Sequence, residues 1–182
     1  MSGDRYHIDD QHAIYFLTFT VVDWIDVFAR PEYKMIIVDS LNYCIENKGL
    51  VCYAWVLMTN HMHIIVRAEH PNRLSDVIRD YKKFTSKKLV ESIDTITESR
   101  REWLLHKFEF NAKVTRRADN SKFWQDSNHA ICLEGGGNRM QERIQYIHQN
   151  PVRQQIVAFP EDYIFSSAGD YAGRKGLVTV AI

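Results

Sequence analysis

Cysteine is scarce in this 182-residue chain, and its three occurrences, Cys44, Cys52 and Cys132, lie far apart. That excludes a disulfide framework, and no CxxC pair offers a zinc knuckle. Net charge is missing too, with 23 Lys+Arg against 23 Asp+Glu. A protein that coats nucleic acid by bulk charge is therefore excluded, whereas basic residues gathered on one face are not. No apolar run reaches the length of a membrane span. The opening MSGDRYHIDDQH is polar and acidic and has no apolar core of a signal peptide. Internal repeats and low-complexity segments are also lacking. The expectation is a soluble protein of a reducing compartment. What the chain does have is 45% hydrophobic and 12% aromatic residues. That suffices for the core of one compact domain spanning 1–182, with 152–182 as a C-terminal extension.

The residue pattern predicts alternating strands and helices. Residues 13–22 (AIYFLTFTVV) are β-branched and aromatic and read as a buried strand. Pro31 opens a helix over about 31–47, stopped by Asn47-Lys48-Gly49. Residues 50–58 and 61–68 read as strands, and the short Thr59-Asn60 link makes them an antiparallel hairpin. A long amphipathic helix follows over 73–93, then a helical piece at 98–110. Residues 123–133 lead through a loop into a last strand. A helix over 138–149 is expected to end at Asn150-Pro151, because proline biases its predecessor away from helical backbone. This order predicts an α+β sandwich, one antiparallel sheet with helices packed on one face.

Within the second hairpin strand stands His61-Met62-His63. Side chains alternate along a strand, so the two imidazoles share a face and can reach one metal ion. The same pair also occurs as two hydrogen-bonded histidines on a sheet surface. Further on, RIQYIHQNPVR sets Tyr146 four residues before Asn150, hence on one helix face. Tyr146 offers a nucleophile and Asn150 an amide oxygen for a metal. Core packing and a helix cap are the structural alternatives. The two signals make joint chemical sense. A phenol ionises only near pH 10 and needs help to attack phosphorus at neutral pH, which a divalent cation gives. His148, two residues after Tyr146, points away from it, and Tyr163 sits in the acidic turn Pro160-Glu161-Asp162, a poor place to meet phosphate.

In this order the motifs resemble the HUH single-tyrosine transposases, and most nearly their REP-associated tyrosine transposase branch, related to the small insertion-sequence transposases. The likeness runs through AWVLMTNHMHIIV (54–66), DYKKFTSKKL (80–89), FWQDSNHAI (123–131), YIHQNPVRQQIV (146–157) and PEDYIFSSAGDYAG (160–173). It implies a ferredoxin-like HUH domain. It also implies Mg²⁺ or Mn²⁺ on His61, His63 and Asn150, Tyr146 as the nucleophile, and single-stranded or hairpin DNA as the partner. Cutting would leave a 5′-phosphotyrosine and a free 3′ hydroxyl, so rejoining needs no ATP. Histidine is not magnesium's favoured ligand, so manganese is expected to serve at least as well. The resemblance further implies a cytoplasmic, nucleoid-associated protein and admits a homodimer that shares its active sites. Some relatives carry arginine after the isoleucine that corresponds to Ile131, where this chain has Cys132.

For the DNA surface, Lys82, Lys83, Lys87 and Lys88 recur at about one helical turn and form either a ridge along a DNA backbone or a solvated face. Arg153 is a further phosphate candidate, as are Arg116 and Arg117. Trp124 either stacks on an unpaired base or lies buried beside Phe123. His129 is either a substrate-side group or a core histidine. Three functions compete. They are a transesterase, a domesticated sequence-specific DNA-binding protein that has lost cutting, and a metal-dependent hydrolase in which water attacks and Tyr146 is structural. The complete set of His61, His63, Tyr146 and Asn150 favours the first.

Overall fold

The computed structural model describes residues 7–116, 120–135 and 137–182. Four strands, β1 (Tyr15–Thr20), β2 (Leu50–Leu57), β3 (His61–Ala68) and β4 (Ile131–Cys132), form an antiparallel sheet in the order β2-β3-β1-β4. Helices α1 (Pro31–Asn47), α2 (Leu74–Thr95), α3 (Arg101–Thr115), α4 (Arg139–Arg153) and the short α5 (Ala168–Tyr171) complete it. With α1 between β1 and β2, and α2 between β3 and β4, this is the ferredoxin-like arrangement. Among the described residues no helix is long and apolar enough to cross a membrane.

The link from α1 to β2 depends on Gly49, whose φ of 63° suits glycine. A side chain there would also collide with the Asn72 carboxamide. The Met58 amide donates to the His61 carbonyl (2.8 Å) and closes the β2–β3 hairpin. Strand β3 then lies between β2 and β1 with nearly every residue buried, which is why it reads as a near-continuous apolar run.

Register decides which side chains share a face. Thr18 pairs with His63 and Thr20 with His61, so these four and Phe16 lie on one side of the sheet. Met62 and Phe19 lie on the other, where Tyr81 of α2 sets its hydroxyl 3.6 Å from the Met62 sulfur and its ring 6.0 Å from that of Phe19. Helices α1 and α2 cover this second face. The histidine face is covered by α4, whose Tyr146 ring packs edge-on to Phe16. Helices thus flank the sheet on both faces, not on one as the strand–helix order suggested. Sequence order fixes which strands have crossover helices but not where a later helix docks.

Helix α4 does not stop at Asn150; it runs through Arg153 with Pro151 inside. Pro151 gives up its own amide bond and crowds the Ile147 carbonyl, but the turn around it is held by other bonds. The Gln154 amide still donates to the Asn150 carbonyl (3.1 Å), and the Asn150 side chain donates to the Tyr146 carbonyl (3.0 Å). Asn150 therefore stays helical, on the same face as Tyr146.

The chain beyond α4 protects the outer edge of the sheet. Leu57 donates its amide to the Phe165 carbonyl (2.9 Å), Ser167 donates to Trp55 (3.0 Å), and Ala181 donates to Cys52 (2.8 Å). Tyr163 is buried here, its hydroxyl donating to the Leu57 carbonyl (2.7 Å).

One buried carboxylate ties the α2–α3 corner to the start of α1. Glu98 accepts from Arg30 Nε (2.9 Å), the Tyr33 hydroxyl (3.2 Å) and the Arg100 amide (3.0 Å). Burial raises its pKa, but these donors and the Arg100 charge outweigh that and hold it below the ordinary carboxylate value. Glu98→Ala would leave several donors unpaired. It is expected to lower the unfolding free energy by about 2–4 kcal/mol, as read from urea denaturation.

Candidate active site

His61 and His63 are 9% and 6% exposed, with ring centroids 4.8 Å apart. Their Nδ1 atoms are engaged: that of His61 with Asn60 Oδ1 (2.6 Å), that of His63 with Thr18 Oγ1 (2.8 Å). Asn60's amide orientation is fixed because its Nδ2 donates to the Trp24 carbonyl (3.2 Å). Its Oδ1 can only accept, so the His61 proton sits on Nδ1 and Nε2 keeps its lone pair. The Thr18 hydroxyl can accept as well as donate, so the same tautomer is open to His63. Such outer partners commonly orient metal-binding histidines.

Burial pushes the pKa of His61 down and that of His63 to about 3, where the His61 and Arg143 charges add to the effect. Burial also brings His148 down to about 4. These groups refuse protons that the unfolded chain accepts near pH 6.5. Stability is therefore expected to fall as pH drops below about 6.5, with the loss growing until each folded pKa is reached. The effect is on the order of 1–2 kcal/mol per fully shielded histidine at pH 5. Urea midpoints measured from pH 7.5 to 5 check this, and His148→Gln should flatten the slope. His148 suits the test because it turns away from Tyr146, pairing with Ser167 Oγ (2.8 Å) and stacking edge-on to Tyr171.

Tyr146 is half-buried, its ring 5.4 Å from that of His63 in the same chain. Its hydroxyl has no hydrogen-bond partner among the described residues. Asn150, buried, follows one turn later. Its amide nitrogen is spent on the Tyr146 carbonyl, which leaves the side-chain oxygen as the free donor atom. Two guanidiniums flank the phenol ring: Arg143 at 5.9 Å and Arg153 at 5.3 Å from its centroid. Beside them opens a cavity of about 600 Å³ lined by Cys132, Arg139, Arg143, Tyr146 and Arg153 among others. Among the described residues no group of three or more His, Cys, Asp or Glu gathers to hold a metal. The fit to a divalent cation therefore rests on two neutral imidazoles with free Nε2 atoms and an amide oxygen. That donor set suits manganese at least as well as magnesium.

Arg139 and Arg143 escaped the sequence reading, although Arg139, Tyr146 and Arg153 recur every seven residues with Arg143 and Asn150 between them. A period of seven keeps one helix face. Cys132 lines the same cavity, so α4 brings arginines to the place where that strand position has none.

Other candidates fall elsewhere. Trp124 is 5% exposed; it donates Nε1–H to Thr85 Oγ1 (3.0 Å) and stacks on Phe28, so it is a core residue and not a base platform. Lys82 leaves the lysine ridge. Its Nζ donates to the Gln125 carbonyl (2.8 Å) and Asn128 Oδ1 (2.7 Å), and burial pushes its pKa down to about 8. Lys83, Lys87 and Lys88 are exposed, the last two near Glu91. Helix α2 packs on the sheet face opposite the histidines, so this row does not adjoin Tyr146. Arg116 closes α3 with a φ of 50°, and Arg117 lies outside the described residues. His129 is exposed and is not a core histidine.

The family model described as Transposase IS200 like matches residues 15–110, just over half of the chain. The chain belongs to the IS200-like transposase family. The match holds β1, α1, the hairpin with both histidines, α2 and part of α3, while Tyr146 lies beyond it. Membership makes the protein a DNA transposase, an enzyme of the nuclease and strand-transferase kind. Its fold is also that of a solved REP-associated tyrosine transposase bound to a REP hairpin. The two align over 100% of this chain and 92% of that one, at 17% identity with a TM-score of 0.64. A Deinococcus radiodurans protein assigned as a transposase aligns over 82% of this chain and 97% of its own at 16% identity. Its TM-score is 0.41. No curated protein matches the chain significantly.

Proposed function

We propose that this IS200-like transposase cuts and rejoins single-stranded DNA through a covalent bond to Tyr146. The observation that carries this is the free phenol hydroxyl beside the His61–His63 pair within one chain, with ring centroids 5.4 Å apart. Tyr146 standing beside the histidines of its own chain favours action in cis. The Tyr146 oxygen attacks the phosphorus and the bond to the 3′ oxygen breaks. The phenol loses its proton and the leaving oxygen gains one. The 5′ phosphate stays on the tyrosine and the other fragment ends in a 3′ hydroxyl. Attack by that hydroxyl reverses the step without ATP.

His61 and His63 would hold a Mg²⁺ or Mn²⁺ ion through Nε2, with Asn150 Oδ1 as a third ligand. When bound, the ion polarises the phosphodiester and stabilises the displaced oxygen. Arg143 and Arg153 offer charge to phosphate oxygens beside the phenol, and Arg139 extends that surface along the cavity. Lys83, Lys87 and Lys88 remain available for a more distant stretch of backbone. The hairpin as preferred substrate rests on the fold-related REP transposase, which was solved with one.

The test uses a hairpin oligonucleotide with single-stranded flanks, labelled at its 3′ end. With Mg²⁺ or Mn²⁺ the label should move to a protein-sized band in a denaturing gel, and EDTA should prevent this. DNA bound but never cut would leave a DNA-binding protein. Cutting without a protein-linked product would make water the attacker.

A further inference from the structure

Trp24 is 60% exposed, yet its backbone is held in a conformation bulky residues avoid. Asp23 and Trp24 both take left-handed φ values, 53° and 55°. Such a pair is disfavoured for non-glycine residues and persists only where the surroundings over-determine it. Here they do. Asp23 Oδ2 accepts from Lys107 Nζ (3.4 Å) and Asn111 Nδ2 (3.2 Å) of α3. The Trp24 amide donates to the Val21 carbonyl (3.1 Å), and its carbonyl accepts from Asn60 Nδ2 (3.2 Å). Core packing does not account for the strain, since the indole faces solvent. Asn60 is also the residue that orients His61, and the indole stands edge-on to His61 at 6.2 Å between centroids. The turn thus holds an open aromatic face at the rim of the histidine pair.

We propose that Trp24 is a stacking platform for an unpaired base of the bound strand, holding the nucleotide beside the phosphodiester that His61, His63 and Tyr146 address. The inference rests on the single-strand reading above, but not on the covalent step. A base stacks on an indole whatever its identity, because every base has a π-face. Trp24 therefore fixes the position of a nucleotide more than its sequence. Trp55 and Trp124 are buried, and Trp103 lies exposed on α3. In a Trp103→Phe background, Trp24 is accordingly the solvent-facing indole among the described residues.

The test is carried out in EDTA, so that no cutting intervenes. The probe is a short mixed-sequence single strand, with a matching strand of abasic sites that keeps the phosphates and loses the bases. Indole fluorescence of Trp103→Phe should be quenched by the ordinary strand and far less by the abasic one. Trp24→Ala should weaken binding of the ordinary strand on the order of tenfold and leave abasic binding unchanged. Trp24→Phe and Trp24→Tyr should restore most of the affinity. Trp24→Gly relieves the left-handed strain, so it should melt no lower than the parent yet bind as poorly as the alanine variant. Equal quenching by both strands would overturn the proposal, as would alanine and glycine variants that bind like the parent. Because cleavage is not scored, a protein without tyrosine chemistry would still give the expected binding result.

Discussion

Tyr146→Phe is expected to eliminate the denaturation-resistant protein–DNA band and to slow cutting by on the order of a thousandfold or more, while leaving DNA binding and the melting temperature nearly unchanged. The variant loses one oxygen. Its ring still packs against Phe16 and His63 and still lies between Arg143 and Arg153, so packing gives no reason for a broader failure. Other tyrosines are poorly placed to substitute. Tyr163 gives its hydroxyl proton to the Leu57 carbonyl, and burial pushes its pKa up to about 12. Tyr33 is bonded to Glu98, and burial together with that carboxylate pushes its pKa to about 12 as well. The readout is a gel of the 3′-labelled hairpin with Mn²⁺, with binding followed separately in EDTA. Nicking at the parent rate by the phenylalanine variant would remove Tyr146 from the chemistry.

The sheet and most of the candidate site could be read in the sequence because period-two and helical patterns were strong where they mattered. Pro31 and Asn47 bound α1 as expected, and the Thr59-Asn60 link makes the hairpin that presents the histidines. The readings that failed depended on tertiary partners. Trp124 follows Phe123 in an otherwise polar stretch that left both readings open, and Thr85, Phe19 and Phe28 surround it in space. Lys82 follows a core tyrosine on α2 and turns toward a loop more than forty residues away, which no helical wheel shows. Pro151 was read as a stop because proline disfavours a helical predecessor, and the bonds that keep Asn150 helical cannot be seen in the sequence. Arg153 was read as a phosphate candidate, but Arg139 and Arg143 on the same helix were missed, because charged residues are ordinarily assigned to solvent. Trp24 left no local signal, because consecutive left-handed residues without glycine have no sequence signature.

His63→Ala should be the other large effect, and its value lies in a gradation. If the imidazoles hold a cation, removing either one should abolish metal-dependent cutting while DNA binding in EDTA persists, since the arginines and Trp24 remain. Loss of cutting alone could reflect a disturbed sheet, because His63 is buried beside Thr18 in β1. The partners of the histidines separate the two explanations. Thr18→Val and Asn60→Ala keep both imidazoles but remove the groups that fix their Nδ1 atoms. Each should weaken Mn²⁺ binding by roughly 10–100-fold and shift the manganese concentration needed for half-maximal cutting upward by a similar factor. Excess manganese should then restore activity to these variants and not to His63→Ala. Titration calorimetry supplies the affinity and the gel supplies the activity. A purely structural pair would show no such ordering: Thr18→Val and Asn60→Ala would change stability without moving the manganese requirement. His63→Ala that cuts normally at saturating Mn²⁺ would leave the phenol without the metal partner on which its attack at neutral pH depends.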